Sequence, residues 1–209
     1  MQGWIVQNPL DRLDAPKTPE AKRGIYTPEE YHKLLQAAQS NDEYVLRYLV
    51  LSGMAFFRTQ ELVRRFNNEP VLEWSDICLD RKEIHVRPQV AKSIKRAKGD
   101  ERFVEINPSL FRWLSGLCVA EGEDRVIPFS VRHFRGRLNR ICQLAGVQLI
   151  DNGLRHSAIS YYLAMYPDVG VQRVAKWSGN SEATTRKHYL RILRKEQGED
   201  WFNVVDQLK

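Results

Sequence analysis

Cysteine is scarce in this chain of 209 residues: Cys78, Cys118 and Cys142 are all it holds. The number is odd, the spacings are wide and no CxxC occurs. That excludes a disulfide framework or a thiolate metal finger as the organising device. The three read as reduced, structural thiols of a cytosolic protein. Glycine-rich phosphate loops are absent, as is a GxSxG elbow, and His, Cys and Asp nowhere cluster at metal-ligand spacing. No nucleotide cofactor, catalytic metal or small-molecule substrate is expected. Long apolar runs are missing too, so no membrane partner is expected. The N-terminus lacks the pattern of a signal peptide, and the expected location is cytoplasmic.

What is present is ordinary globular composition with a basic excess. Hydrophobic residues make up 43 % and charged residues 28 %, enough apolar side chains for a core without covalent staples. The formal net charge is +6, an excess that favours a polyanionic partner once its distribution is considered.

Residues 1–24 hold three of the nine prolines and no sustained period, which reads as a linker, with an upstream domain implied below. Residues 25–209 read as the folded unit. Thr27, Pro28 and Glu30 form a helix start with a capping box. Tyr31, Leu34, Leu35 and Ala38 follow at helical spacing. Further helices are predicted over 42–54, 59–65, 108–120, 130–145, 153–165, 169–178 and 181–194. Between the third and fourth, VLEWSDICLD, EIHVR and RFVEI are short and β-prone. The basic stretch AKSIKRAKGDE looks like a hairpin tip. A last amphipathic piece, EDWFNVVDQL, puts Trp201, Phe202, Val205 and Leu208 on one face, which needs an apolar groove in its own chain or a neighbour's. The expected class is mainly α with a small antiparallel β-sheet.

The chemistry-bearing residues are arginines, a lysine and a tyrosine. Each has an ordinary reading by itself: an arginine at a helix start is most often solvated, and a tyrosine late in a helix is most often packing. Their order carries more. FRTQEL, a lysine in a hairpin, LRHS, and then GNS with Tyr189 nine positions after its asparagine resemble the signature of the tyrosine recombinase (phage integrase) family. VLEWSDI resembles the strand entry that follows the first family arginine.

The resemblance implies a tyrosine recombinase catalytic-domain fold and a role for each matching position. Arg58 corresponds to the first catalytic arginine and Glu61 to the acidic residue that supports it. Lys92 corresponds to the hairpin lysine, with Lys95 as the second candidate, Arg155 to the second arginine and Tyr189 to the nucleophile. The implied reaction is DNA strand cleavage through a 3′-phosphotyrosine. Two planar, always charged guanidiniums clamp the phosphate as its oxygens gather charge. A lysine protonates the leaving 5′ oxygen, and the tyrosyl ester keeps the bond energy for rejoining. The implied partners are double-stranded DNA and further copies of the chain, as a tetramer, in a bacterial cytosol or nucleoid. A DNA-clamping domain would precede residue 25.

Three positions depart from the family pattern. Asn152 stands where the family has His or Lys, and Asn180 where it has His or Trp. Phe56 stands two before Arg58, where glycine is common. An asparagine can hydrogen-bond a phosphate but takes no proton at neutral pH. His156 reads as helix packing. Lys95, Arg96 and Lys98 in the hairpin, and Arg132, Arg135 and Arg137 on the 130–145 helix, are the expected phosphate contacts outside the catalytic centre, with Arg102 and Arg140 in the same runs. The alternatives are a degenerate relative that binds DNA without cutting it, a type IB topoisomerase-like enzyme, and a basic helical domain without catalysis.

Overall fold

In a computed structural model, the described residues are 24–91, 101–117, 122–191 and 193–203. Ten helices and three short strands run along them. In chain order they are α1 (Pro28–Asn41), α2 (Glu43–Met54), α3 (Thr59–Leu62), β1 (Ile77–Cys78), β2 (Glu83–Val86), α4 (Pro88–Ala91), β3 (Arg102–Glu105), α5 (Pro108–Ser115), α6 (Val131–Ala145), α7 (Gly153–Met165), α8 (Gly170–Ser178), α9 (Glu182–Tyr189) and α10 (Lys195–Phe202). No described helix is long and apolar enough to cross a membrane.

The start of α1 follows its sequence. The Thr27 hydroxyl accepts from the Glu30 amide at 3.2 Å, and the Glu30 carboxylate accepts from the Thr27 amide at 2.8 Å. Tyr31, Leu34, Leu35 and Ala38 are buried. Asp42 both ends α1 and caps α2. From Val45 to Met54 every residue of α2 is buried, so α2 is the central rod, packed against α1, α7 and α5.

The sheet is antiparallel in the order β1-β2-β3, with Ile84 opposite both Ile77 and Val104. Burial alternates along its strands: Ile84 and Val86 face inward on β2, and Arg102 and Val104 on β3. The sheet lies against α8 through β3, which brings the hairpin foot to the helical half.

Several boundaries differ from the sequence expectation, each for a local reason. The third helix stops at Leu62 rather than 65. There Val63 turns extended, the Leu72 amide donates to the Glu61 carbonyl, and the Arg64 carbonyl takes the Val131 amide. The expected strand over VLEWSDICLD shrinks to two residues after a 3-10 turn at Trp74–Asp76, whose own carboxylate caps Glu73. The helix expected to reach 194 ends at Tyr189, where Leu190 turns extended. The linker assigned to 1–24 lies outside the described residues except for Gly24, and so do Val205 and Leu208.

The C-terminal helix α10 docks on its own chain, against α7 and α1. Trp201 is fully buried between two tyrosines, stacked on Tyr31 at 4.1 Å and on Tyr161 at 5.0 Å between ring centroids. Its indole N–H donates to the Gly53 carbonyl at 2.8 Å. Gly198 makes the approach possible, since a Cβ there would lie 2.7 Å from the Tyr161 carbonyl oxygen. Trp201→Ala removes both stacks and a satisfied indole. It should cost about 3–5 kcal/mol in chemical denaturation, the usual range for truncating a buried aromatic.

Candidate functional site

Four residues of the expected site line one cleft of about 400 Å³. They are Arg58, Asn152, Arg155 and Tyr189, with Thr59, Gln60, Arg65, Val131 and His156 completing the walls. Arg58 caps α3, Asn152 and Arg155 open α7, and Tyr189 ends α9. Asn180 joins them from the turn after α8: its side-chain oxygen accepts from Arg58 at 2.9 Å, and its amide donates to the Tyr189 hydroxyl at 3.5 Å. Lys92, Lys95, Arg96 and Lys98 lie outside the described residues.

The end of α8 organises the arginines. A helix C-terminus leaves carbonyls without intrahelical partners and carries partial negative charge. Here three successive carbonyls each take a different guanidinium. Trp177 accepts from Arg102 at 2.7 Å, Ser178 from Arg155 at 2.6 Å and Gly179 from Arg58 at 3.2 Å. Gly179 itself has φ of 63°, the left-handed cap that glycine adopts without strain.

A buried carboxylate completes the frame. Glu61 is 0 % exposed and accepts from the Arg58 side chain at 3.1 Å, the Arg58 backbone amide at 2.8 Å and Arg102 at 2.9 Å. Burial alone would raise its pKa, but the charges of Arg102, Arg155 and Arg58 outweigh it and hold the carboxyl below its ordinary value. The guanidinium of Arg155 is pushed down to about 10 by burial and by Arg58, while Glu61 and Tyr189 pull the other way. It therefore stays charged at neutral pH.

Arg155 has a second anchor in the Phe56 carbonyl. Phe56 adopts φ of 63°, the region a glycine enters freely and a bulky residue does not. The side chain offsets that strain by packing on Trp177 and Tyr162, with centroids at 6.1 and 5.8 Å. The departure noted in the sequence thus puts an aromatic ring on a left-handed backbone position and anchors it by ring packing. Asn152 is left-handed as well, φ 56°, a conformation asparagine tolerates.

Tyr189 is only 6 % exposed. Its ring stacks on His156 at 4.8 Å and 20° between planes. A stacked imidazole offers the phenol its face rather than an in-plane lone pair, which suits packing better than proton transfer.

Sequence reasoning missed Arg102, which looked like one more hairpin cation. It is buried and bonded to Glu61 and Trp177. The period-two pattern held the clue, since Arg102 shares the inward phase of Val104. Arg137 also differs from an open phosphate contact. Asp42 holds it in two places, Nε at 2.8 Å and a terminal nitrogen at 2.9 Å, and its guanidinium lies 4.5 Å from the Phe129 ring centre. Arg132, Arg135 and Arg140 are exposed on α6, with Arg135 at 3.8 Å from exposed Asp151.

The arrangement of helices and sheet matches solved structures. The fold is that of the tyrosine recombinase catalytic domain. The chain is similar to XerA recombinase, with a TM-score of 0.63 and 20 % identity over 88 % of this chain and 66 % of that one. It is similar to lambda integrase bound to DNA, at a TM-score of 0.59 and 17 % identity over 84 % of this chain and 64 % of the other. The integrase of transposon Tn1549, in complex with transposon right end DNA, gives a TM-score of 0.59 and 15 % identity over 93 % and 71 %. The chain thus spans about two thirds of the length of these structures. No family model and no curated protein matches the sequence.

Glu61 makes the site's pH response testable. A carboxyl whose folded pKa is lowered takes up its proton in the unfolded chain first. The stability it adds is present above the ordinary value of 4.5 and is lost as pH falls through the folded value. Glu61→Gln leaves buried arginines without their counter-charge and should destabilise by about 3–5 kcal/mol at pH 7. The gap to the parent should narrow in acid, read by denaturation at a series of pH values.

Proposed function

We propose that this chain is the catalytic domain of a site-specific DNA recombinase that cuts and rejoins strands through a 3′-phosphotyrosine on Tyr189. The observation that carries the reading is convergence. Arg58, Arg155 and Tyr189 are far apart in sequence and meet in one cleft, where a shared phosphate gives them a common task. The fold match supports it independently.

In this reading a DNA phosphate enters the cleft against Arg58 and Arg155. A guanidinium has five N–H donors. Arg155 commits one each to Phe56 and Ser178, so donors remain for phosphate oxygens. Those donors are already oriented by carbonyls and Glu61, and the charge on the transition state meets a preorganised site. The Tyr189 oxygen attacks phosphorus, its proton passing to water at the cleft mouth. The 5′ oxygen leaves and takes a proton from Lys92. Asn180, already donating to the Tyr189 hydroxyl at 3.5 Å, stabilises the oxygen as it becomes anionic. Asn152 donates to a phosphate oxygen from the cleft wall. Reversal of these steps with a different 5′ hydroxyl joins new strands. Double-stranded DNA, self-assembly as a tetramer on it, phosphate contacts from Arg132 and Arg135, and an upstream clamping domain belong to the same reading.

A second reading is favoured by Asn152 and Asn180, which take the place of family bases. It holds that the domain binds DNA and does not cut it. Suicide substrates that trap a covalent protein–DNA adduct separate the two. An active parent should form adduct slowly, since a missing general base costs about 10²–10⁴-fold. Tyr189→Phe should form none while its DNA affinity stays within about twofold, because it loses only the nucleophilic oxygen. Adduct from Tyr189→Phe equal to the parent's would falsify the nucleophile assignment, and none from the parent at any time would favour the binder.

Asn152→His tests the amide directly. The position is exposed at the cleft edge, so the ring has room. Adduct formation should accelerate by about tenfold or more, within the range of general-base catalysis, in the same trapping assay.

A further inference from the structure

Between α3 and β1 the chain makes a loop, RRFNNEP, that the catalytic reading leaves without a task. Phe66 sits in it 75 % exposed, the most exposed of the large hydrophobic residues described. Exposed phenylalanine on a loose loop would mean little, but this loop is tied down. The Arg64 carbonyl takes the Val131 amide at 2.8 Å, and the Arg64 guanidinium donates to the Asn67 carbonyl at 3.2 Å. The Arg65 amide donates to the Glu69 carboxylate at 2.5 Å, and the Glu69 amide closes a turn onto the Phe66 carbonyl at 3.2 Å. Four hydrogen bonds thus fix the backbone on both sides of a ring held in water.

The loop also belongs to the cleft. Arg65 and Val131 line it together with Arg58, Arg155 and Tyr189. Phe66 is the next residue after Arg65, so the exposed ring is carried on the same loop that forms part of the cleft wall. An exposed aromatic interleaved with arginines is the arrangement by which proteins hold unstacked bases.

We propose that Phe66 is a base-stacking contact, taking an unstacked base next to the phosphate held in the cleft, with Arg65 on the neighbouring phosphate. The inference rests on the reading of the cleft as a DNA site. The held backbone strengthens it: a loop already tied on both sides of the ring has less main-chain freedom to lose on binding. The charge around it suits a nucleic acid, since Arg58, Arg65 and Arg155 all line the same cleft.

The test is fluorescence anisotropy with a labelled duplex carrying a single-nucleotide gap and its intact counterpart, measured over a range of salt. Phe66→Ala should bind the gapped duplex at least about fivefold more weakly, as expected for one lost base stack, and lose less on the intact one. Its salt dependence should match the parent's, whereas Arg65→Ala should lower the slope by about one. Phe66→Trp should restore affinity, and Phe66→Leu should not, because only the aromatic face stacks. The ring is exposed, so thermal midpoints should be unchanged, and the comparison is between folded proteins. Gapped-duplex affinity of Phe66→Ala within twofold of the parent overturns the proposal while leaving the DNA reading intact. Failure of the parent to bind either duplex overturns both. Unchanged DNA affinity with altered self-association in ultracentrifugation also overturns it, and assigns Phe66 to contact with a second copy of the chain.

Discussion

The guanidiniums of Arg58, Arg102 and Arg155 crowd together at the base of the site, and the Glu61 carboxylate buried among them makes the crowding tolerable. Two like charges 4 Å apart repel by about 4 kcal/mol at an effective dielectric of 20. Glu61 touches Arg58 and Arg102 and acts on Arg155 through space. Its lowered pKa and the depressed pKa of Arg155 are two views of one balance, in which desolvation opposes mutual attraction. The carbonyls at the end of α8 finish the task without adding a full charge. Fixed dipoles orient the arginines and leave their positive charge available to an incoming anion, which a second carboxylate would have cancelled.

That frame explains how the sheet takes part. Arg102 stands at the foot of β3 and reaches both Glu61 and the Trp177 carbonyl. Strand β3 is thereby locked to the same carboxylate that positions Arg58. Phe56 contributes from the other side, its left-handed backbone aiming a carbonyl at Arg155 while its ring packs on Trp177.

Much of this was legible in the sequence where signals are local. The capping box of α1, the helical stripe behind it and the alternation of β2 and β3 follow from residue type and period alone. Arg58, Arg155 and Tyr189 were legible as an ordered set, because a spaced motif constrains several positions together. Contacts between distant segments were not. Nothing near Arg137 announces that Asp42 will hold it, and nothing in the tail selects Tyr31 and Tyr161 as the partners of Trp201. The short α3 was hidden for the same reason, since its end is decided by pairing with residues 72 and 131. Arg102 is intermediate. Its phase along the strand pointed inward, but a charged residue in a basic run argues for solvent until a buried carboxylate is known to await it.

The asparagines take on a different meaning once the arginines are in place. Arginine and asparagine side chains do not titrate near neutrality, so Arg58, Arg155 and Asn152 in the cleft wall keep their protonation state across the physiological range. The imidazole of His156 lies against the Tyr189 ring, where it fixes the orientation of the phenol. Asn180 bridges Arg58 and the Tyr189 hydroxyl with one amide, its oxygen accepting from the cation and its nitrogen donating to the phenol. A histidine at that position could serve both partners only in one tautomer and would lose its acceptor on protonation. The amide keeps both bonds at any pH, so the position of the Tyr189 hydroxyl does not depend on a titrating neighbour.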